Sequence, residues 1–235
     1  AWRLSEESFY TKNKWVNDIK VRAGYGVTGN QWGINEYAYF TKLKTGQYVF
    51  NGTPVSTLYP LVMPNPDVKW ETVKQWNAGI DLSLINQRIN LSLDGYVKNT
   101  TDMLVPMAVP ITTGYSDLPG QVPSVNAGKV RNTGWELTIS SRNLTGEMEW
   151  NTDLNVSYNK NKVISMNEGV PLFTGDDINM TKVLVNAEGN PINSFYGYVT
   201  NGLFQNQNEV NNASIQVPGG TSPGDIRFWD LDNNG

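Results

Sequence analysis

The stretch WETVKQWNAGIDLSLINQRINLSLDGYVKN, residues 70–99, decides the fold. From Trp76 onward, apolar residues alternate with polar residues or glycine. A short polar break follows at 85–87, and the alternation resumes from Ile89 to Val97. Because successive side chains of a β-strand point to opposite faces, a period of two predicts strands with one apolar and one polar face. We therefore predict a long antiparallel β-hairpin whose two strands share both faces.

The same alternation recurs along the chain. It predicts further strands at Trp15–Tyr25, Arg131–Arg142, Met148–Asn159 and Phe195–Phe204. Long connections are expected at 26–69, which includes extended segments around 37–44 and 47–50, at 100–123 and at 162–194. Long and short connections thus alternate, as an up-and-down antiparallel barrel requires. We expect no helix of any length and no domain boundary.

Two architectures explain strands with one apolar face. A soluble β-sandwich buries that face in a core, whereas a transmembrane barrel turns it to lipid and encloses a wet lumen. The predicted strands exceed ten residues, whereas soluble strands average about 5–6 and transmembrane strands need about 9–11. The aromatic residues Trp15 and Tyr25 lie on one face, separated by about 25 Å across a bilayer for strands tilted by roughly 40°. These features favour the barrel, and charges on the polar face suit either architecture.

The composition excludes several functions. The chain of 235 residues has no Cys and no His, which removes thiolate nucleophiles, Ser-His-Asp triads and Cys/His zinc sites. A net charge of −4 argues against a nucleic-acid partner, because such proteins present a basic face. No apolar run is long enough for a transmembrane helix. The paired carboxylates Asp176–Asp177 and Glu147/Glu149 have no second group within catalytic reach, so we expect no catalytic residue and no enzyme.

Six segments carry a specific resemblance. They are IKVRAGYGVTGNQ (19–31), NPDVKWETVKQWNAGIDLSL (65–84), NAGKVRNTGWELTI (126–139), NVSYNKNKV (155–163), GNPINSFYGYVTNGLFQ (189–205) and PGDIRFWDLDNNG (223–235). Together they resemble the C-terminal barrel half of SusC/RagA-like TonB-dependent receptors. The resemblance covers nearly the whole chain, and the motifs follow the order of that family.

The resemblance implies a function for the complete protein. A 22-stranded barrel in the outer membrane of a Gram-negative cell would hold an N-terminal plug and pair with a SusD-like surface lipoprotein. TonB would act through the missing N-terminal part to drive import of oligosaccharides or peptides. Residues 1–235 would form part of the barrel domain, in contact with membrane lipid, with long extracellular loops and short periplasmic turns. The plug and the remaining strands would be absent.

The last residues match the start of a calcium loop. Asp230, Asp232, Asn234 and Gly235 fit positions 1, 3, 5 and 6 of D-x-D-x-N-G, in which alternate oxygens surround the cation. A polar turn rich in Asp and Asn explains the same residues, and we favour it. SusC-like proteins often carry such an acidic loop, so Ca²⁺ remains the one candidate cofactor.

No substrate-binding residue can be assigned from the sequence. Four arginines, Arg22, Arg88, Arg131 and Arg142, are expected to line the lumen or to form salt bridges with neighbouring strands. Two other functions stay open beside the importer. One is a soluble or surface-exposed β-rich adhesin that uses calcium, and the other is a glycan hydrolase, for which no suitably spaced carboxylate pair is evident.

Overall fold

A computed structural model describes the chain at residues 1–11, 14–34, 36–107, 112, 124–166, 169–178, 181–217 and 220–231. The chain divides into two compact units. The first comprises 1–172 and 186–192, and the second comprises 173–185 and 193–235. Among the described residues, no helix combines the length and the apolar character needed to cross a membrane.

The first unit is built on one antiparallel sheet. Its strands and a separate hairpin are β1 (Trp2–Arg3), β2 (Val16–Asn30), β3 (Lys42–Phe50), β4 (Thr53–Val62), β5 (Glu71–Leu84), β6 (Ile89–Pro106), β7 (Ser124–Thr145) and β8 (Glu149–Ser165). The six-stranded sheet has the order β1-β2-β5-β6-β7-β8, and β3 pairs with β4 in a separate two-stranded sheet. A 3-10 helix covers Leu4–Glu6. Over the described residues the sheet keeps two edge strands, β1 and β8, and does not close on itself.

The central hairpin is confirmed. Leu84 pairs with Ile89, and the residues between them form the turn. Ile85, Asn86 and Gln87 all have positive φ, which lets the chain reverse within four residues. This turn and the one at 146–148 lie at the same end of the sheet, which we call the turn end. The opposite end, where the longer connections leave the sheet, is the loop end.

The register aligns the two faces across all the long strands. Ile80 of β5 lies between Val21 of β2 and Leu93 of β6. One position along, Gly79 lies between Arg22 and Asp94. The ladder continues in step into β7 and β8. Since a shift by one residue would move every apolar side chain to the polar face, this register is the one that the sequence pattern requires.

Several predicted connections contain more strand than expected. Strands β3 and β4 form a hairpin inside the connection at 26–69, where extended segments were expected only around 37–44 and 47–50. Strand β6 continues to Pro106, into the connection expected at 100–123. β8, β9 (Leu172–Ile178) and β10 (Thr181–Asn186) occupy much of the loop expected at 162–194. The reason is that backbone hydrogen bonds extend a ladder without regard to side-chain alternation, which was the only signal available.

The second unit holds most of β9 and β10, together with β11 (Ser194–Phe195), β12 (Thr200–Leu203) and β13 (Ile226–Phe228). The order β11-β10-β9 forms one small sheet, and β12 pairs with β13. The continuous strand predicted at Phe195–Phe204 is therefore wrong, because its two ends pair with different partners. The expectation of no helix is also wrong. Helix α1 (Gln207–Asn211) begins after Asn206, whose side chain accepts a hydrogen bond from the Glu209 backbone N–H.

Candidate functional site

The apolar face of the six-stranded sheet is uncovered. Its aliphatic side chains remain substantially exposed, for example Leu93 at 41% and Leu154 at 48%. Among the described residues the buried apolar side chains are few: Val105, Val130, Val163, Val185 and Phe204. A water-soluble sandwich would bury this face against a second layer. An exposed, continuous apolar face instead indicates contact with lipid or with another protein.

Aromatic side chains form a row on this face, on the loop-end side of the aliphatic side chains. The rings of Tyr25 and Trp76, on β2 and β5, lie 4.4 Å apart. The rings of Trp135 and Tyr158, on β7 and β8, lie 6.5 Å apart. All four side chains are exposed. Tyrosine and tryptophan concentrate where a transmembrane barrel meets the lipid headgroups, and we call these four residues the aromatic row.

The polar face carries a charge cluster that joins three strands. Arg22 of β2 donates from Nε and Nη2 to the two carboxylate oxygens of Asp81, at 2.9 and 2.8 Å. Its Nη2 also donates to Asp94 of β6 at 2.9 Å and to Ser92 at 3.1 Å. Lys20 lies 3.8 Å from Asp81. Two cations thus balance two carboxylates, and the cluster presents little net charge to the solvent.

A glycine makes this cluster possible. Gly79 lies between Arg22 and Asp94 in the ladder. A Cβ at Gly79 would overlap Oδ1 of Asp94 and would lie 3.1 Å from Nη2 of Arg22. The missing side chain therefore opens the path by which the guanidinium crosses β5 to reach β6.

An open depression of about 540 Å³ lies beside the cluster on the polar face. Its walls include the amides Gln75, Asn77, Asn132 and Asn159, together with the charged side chains Asp94, Lys98 and Glu136. The hydroxyl of Tyr96 donates to Asn159 at 3.2 Å. A Cβ on Gly134 would approach the backbone oxygen of Tyr158 to 2.5 Å, so only glycine fits beneath Tyr96. Amides both donate and accept hydrogen bonds, so this surface suits hydroxyl-rich and peptide-like solutes alike.

A match to a known protein family agrees with this two-faced sheet. Residues 5–234 match the family described as TonB dependent receptor-like, beta-barrel. The chain belongs to this family. In a barrel of this class the apolar face with its aromatic row is the outer surface, and the polar face lines the lumen. The predicted fold class is confirmed.

Relatives specify the branch of this TonB-dependent receptor family. TonB-dependent receptor P3 of Formosa agariphila is 34% identical over 100% of the chain and 23% of its own length. TonB-dependent receptor SusC of Bacteroides thetaiotaomicron is 32% identical over 84% of the chain and 20% of its own length. The chain therefore spans about a quarter or less of these relatives. The resemblance to SusC/RagA-like receptors is confirmed.

Solved structures agree on the fold. The RagAB peptide transporter superimposes with a TM-score of 0.71 at 23% identity, covering 87% of this chain and 21% of that one. The RagAB peptide importer in the open-open state gives a TM-score of 0.68 at 24% identity, over 84% and 20% respectively. This likeness supports the barrel fold of the chain.

The four arginines singled out in the sequence lie in different places and have different hydrogen-bond partners. Arg22 faces the lumen and forms the expected salt bridges. Arg88 donates to the backbone oxygen of Asn143 at 2.9 Å, and Arg142 donates to that of Gln87 at 3.0 Å, so these two arginines link the two short turns. For Arg131 the lumen prediction is wrong. It lies on the lipid-facing side and donates to Asn99 at 2.7 Å, because odd positions of β7 share the face of Trp135.

The calcium prediction falls mostly on residues outside the described part of the chain. Asp232, Asn234 and Gly235 are not described. Asp230 is described, and its Oδ2 accepts a hydrogen bond from Ser214 at 2.9 Å. Over the described residues, no group of three or more Asp or Glu side chains is arranged to hold a metal ion. Calcium at 230–235 stays a prediction.

Sequence reasoning missed the charge cluster and the amide-lined depression. Alternation places Arg22 and Asp94 on polar faces, but it does not reveal that a glycine between them allows direct contact. The available signal was Gly79 itself, a residue without a side chain in the middle of a long strand.

Proposed function

We propose that this chain forms part of the barrel wall of an outer-membrane, TonB-dependent importer of oligosaccharides or peptides. Transport would proceed by substrate binding and movement of a plug, with no bond made or broken in the substrate. The observation that carries the proposal is the two-faced sheet: an exposed apolar face with an aromatic row, and a polar face that carries the charge cluster. Such a wall separates lipid from a water-filled lumen.

Membership of the receptor family supports the TonB-driven part of the proposal. The relative from Bacteroides thetaiotaomicron is named SusC, and the superimposed structures are described as a peptide transporter and importer. We propose that the complete protein works with a SusD-like surface lipoprotein covering the extracellular mouth. The contact with TonB would come from the N-terminal part of the receptor.

The amide-lined depression supports a polar cargo. Gln75, Asn77 and Asn132 offer hydrogen-bond donors and acceptors, beside charges of both signs on Asp94, Lys98 and Glu136. Tyr96 adds an aromatic ring to the lining. Both sugars and peptide backbones satisfy such a surface, so the cargo class is left as oligosaccharide or peptide.

The test is uptake by cells. The gene for the complete receptor is deleted, and growth is followed on a panel of oligosaccharides and peptides as sole nutrients. We expect growth to fail on one nutrient class and to return with the wild-type gene. Membrane fractionation should recover the receptor in the outer membrane, and an affinity tag should recover the lipoprotein with it.

Two variants sharpen the uptake test. Gly134→Val should prevent barrel assembly and abolish growth, because its Cβ meets the backbone of β8. Gly146→Ala is the matched control, since a Cβ there meets no atom within 4 Å. Unchanged growth of the deletion strain on every nutrient would refute the importer. Recovery of the protein in a soluble fraction would favour the β-rich adhesin instead.

A further inference from the structure

Four basic side chains lie together on the lipid-facing side of the sheet, near the loop end. Lys74, Arg131 and Lys162 share one cross-strand row with Asn99 of β6 between the first two. Lys160 lies two positions before Lys162 on the same face. All four side chains are exposed. We call this set the outer basic row.

The charged residues of this row are all positive. Between the turn end and the outer basic row, the lipid-facing positions of β2, β5, β6, β7 and β8 in the described chain carry no Asp or Glu. They also carry no Lys or Arg until the row is reached. The polar face, by contrast, mixes both signs. The outer basic row is therefore a local concentration of positive charge, with no acidic residue on its face between it and the turn end in the described chain.

Two members of the row repel each other. Arg131 pairs directly with Lys162 across β7 and β8. Like charges directly opposite one another in a sheet are destabilising. In the part of the chain that the structure describes, neither side chain forms a salt bridge, and Arg131 donates a hydrogen bond to the neutral amide of Asn99. An anion placed between them would relieve this repulsion.

The height of the row indicates which anion reaches it. Lys74 lies two residues beyond Trp76, and Lys160 lies two beyond Tyr158. Two residues advance a strand by about 7 Å, or roughly 5 Å along the membrane normal at the usual tilt. This places the row just outside the aromatic row, at the level of the headgroups. Lysine and arginine reach such groups by laying their apolar stems along the protein surface.

We propose that the outer basic row binds the phosphate groups of anionic lipid in the outer leaflet of the membrane. The inference rests on the proposed outer-membrane location. Free phosphate is a poorer ligand for this surface, because the exposed apolar side chains next to the row hold acyl chains and not a hydrated ion. The lipid would thus be held at two points, by its phosphates and by its chains.

The experiment uses the complete receptor, purified in detergent and freed of lipid. Binding of lipid A with two phosphates is compared with binding of its dephosphorylated form. The variant R131Q/K162Q removes the directly opposed cations. Each cation near an anionic surface strengthens binding by roughly fivefold, so we expect the affinity for phosphorylated lipid A to fall at least about tenfold.

The matched control is K14Q/K44Q, which removes the same charge at two exposed positions away from the row. It should bind lipid A as the wild type does. Equal binding by R131Q/K162Q and wild type would overturn the proposal. So would equal binding of the dephosphorylated lipid, or displacement of lipid A by millimolar inorganic phosphate. Loss of a co-purifying protein with lipid binding unchanged would assign the row to protein docking and would also overturn the proposal.

Barrel folding, lipid binding and nutrient uptake are measured in separate assays. Heat-modifiable gel migration reports whether R131Q/K162Q forms the barrel. If it does not, K160Q/K162Q provides the same comparison with Arg131 intact. Nutrient uptake by cells tests the importer, whereas lipid retention is measured on purified protein, so either proposal can fail while the other stands.

Discussion

The charge cluster on the polar face makes the most specific prediction about stability. Arg22→Met keeps a long side chain at the centre of the cluster but removes the guanidinium. Asp81 then loses a bidentate partner, and Asp94 loses its bond at 2.9 Å. The remaining cation, Lys20, lies 3.8 Å from Asp81 only. Two carboxylates on adjacent strands are left without sufficient positive charge.

The magnitude follows from the exposure of the groups. The side chain of Arg22 is 36% exposed and those of Asp81 and Asp94 are each 34% exposed, so each ion pair is partly screened by water. A pair of this kind contributes up to about 1 kcal/mol. Asp81 and Asp94 are diagonal neighbours in the ladder, and their unrelieved repulsion adds up to about 1 kcal/mol more. Arg22→Met removes two such pairs, so these terms together set an upper bound of about 3 kcal/mol, and we expect the free energy of unfolding to fall by about 2 kcal/mol.

The assay is urea unfolding of the complete receptor in detergent, followed by tryptophan fluorescence. The midpoint should fall for Arg22→Met, and the loss should shrink at high salt because screening weakens the repulsion. The triple variant R22M/D81N/D94N removes the charges on both sides. It should be more stable than Arg22→Met alone, because no uncompensated carboxylate remains in that variant.

Lys98→Met is the matched control, since Lys98 faces the same lumen and forms no salt bridge in the described chain. It should cost less than about 0.5 kcal/mol, the usual effect of a surface substitution. An Arg22→Met variant as stable as Lys98→Met would refute the reasoning. A triple variant no better than Arg22→Met would show that repulsion between the carboxylates is not the cause.

Three further predictions concern other parts of the wall. Gly134→Val should reduce the heat-modifiable folded fraction severely, because its Cβ would lie 2.5 Å from the Tyr158 backbone oxygen and force β7 from β8. Trp76→Phe should lower the fraction of tryptophan fluorescence quenched by brominated lipid, since Trp76 is 60% exposed on the lipid-facing side. If 230–235 is a calcium loop, calorimetry on the complete receptor should detect Ca²⁺ binding that D230N/D232N abolishes, because carboxylate ligands hold this cation.

Each of these has a matched control. Gly146→Ala should fold normally, because a Cβ there meets no atom within 4 Å, and equal folding of Gly134→Val would contradict the packing argument. Trp32→Phe, in a connection outside the sheet, should leave lipid quenching unchanged, and the same loss in both tryptophan variants would contradict the assigned faces. Identical calcium titrations for wild type and D230N/D232N would assign the segment to a polar turn.

Wherever apolar residues alternate with polar ones, the sequence predicts both the presence of a strand and the face of the sheet on which each side chain lies. β2, β5 and the middle parts of β7 and β8 follow from the sequence, because lipid and water impose opposite requirements on neighbouring residues. The ends of the strands were not predictable. Near the loop end the wall extends beyond the lipid, so both faces of the sheet meet polar surroundings. The alternation of apolar and polar residues therefore fades there, although the backbone ladder continues to Pro106 of β6. The hairpin of β3 and β4 was underestimated for the same reason.

The candidate site was likewise predictable only in part. By itself the sequence determined which residues share a face, since a period of two is a property of the extended backbone. Only the tertiary structure decided which strands are neighbours, and therefore that Arg22 reaches Asp94 across Gly79. It also decided that Arg131 meets Lys162 on the lipid-facing side. Contacts between strands depend on register and on the order of strands in the sheet, and a one-dimensional pattern carries neither.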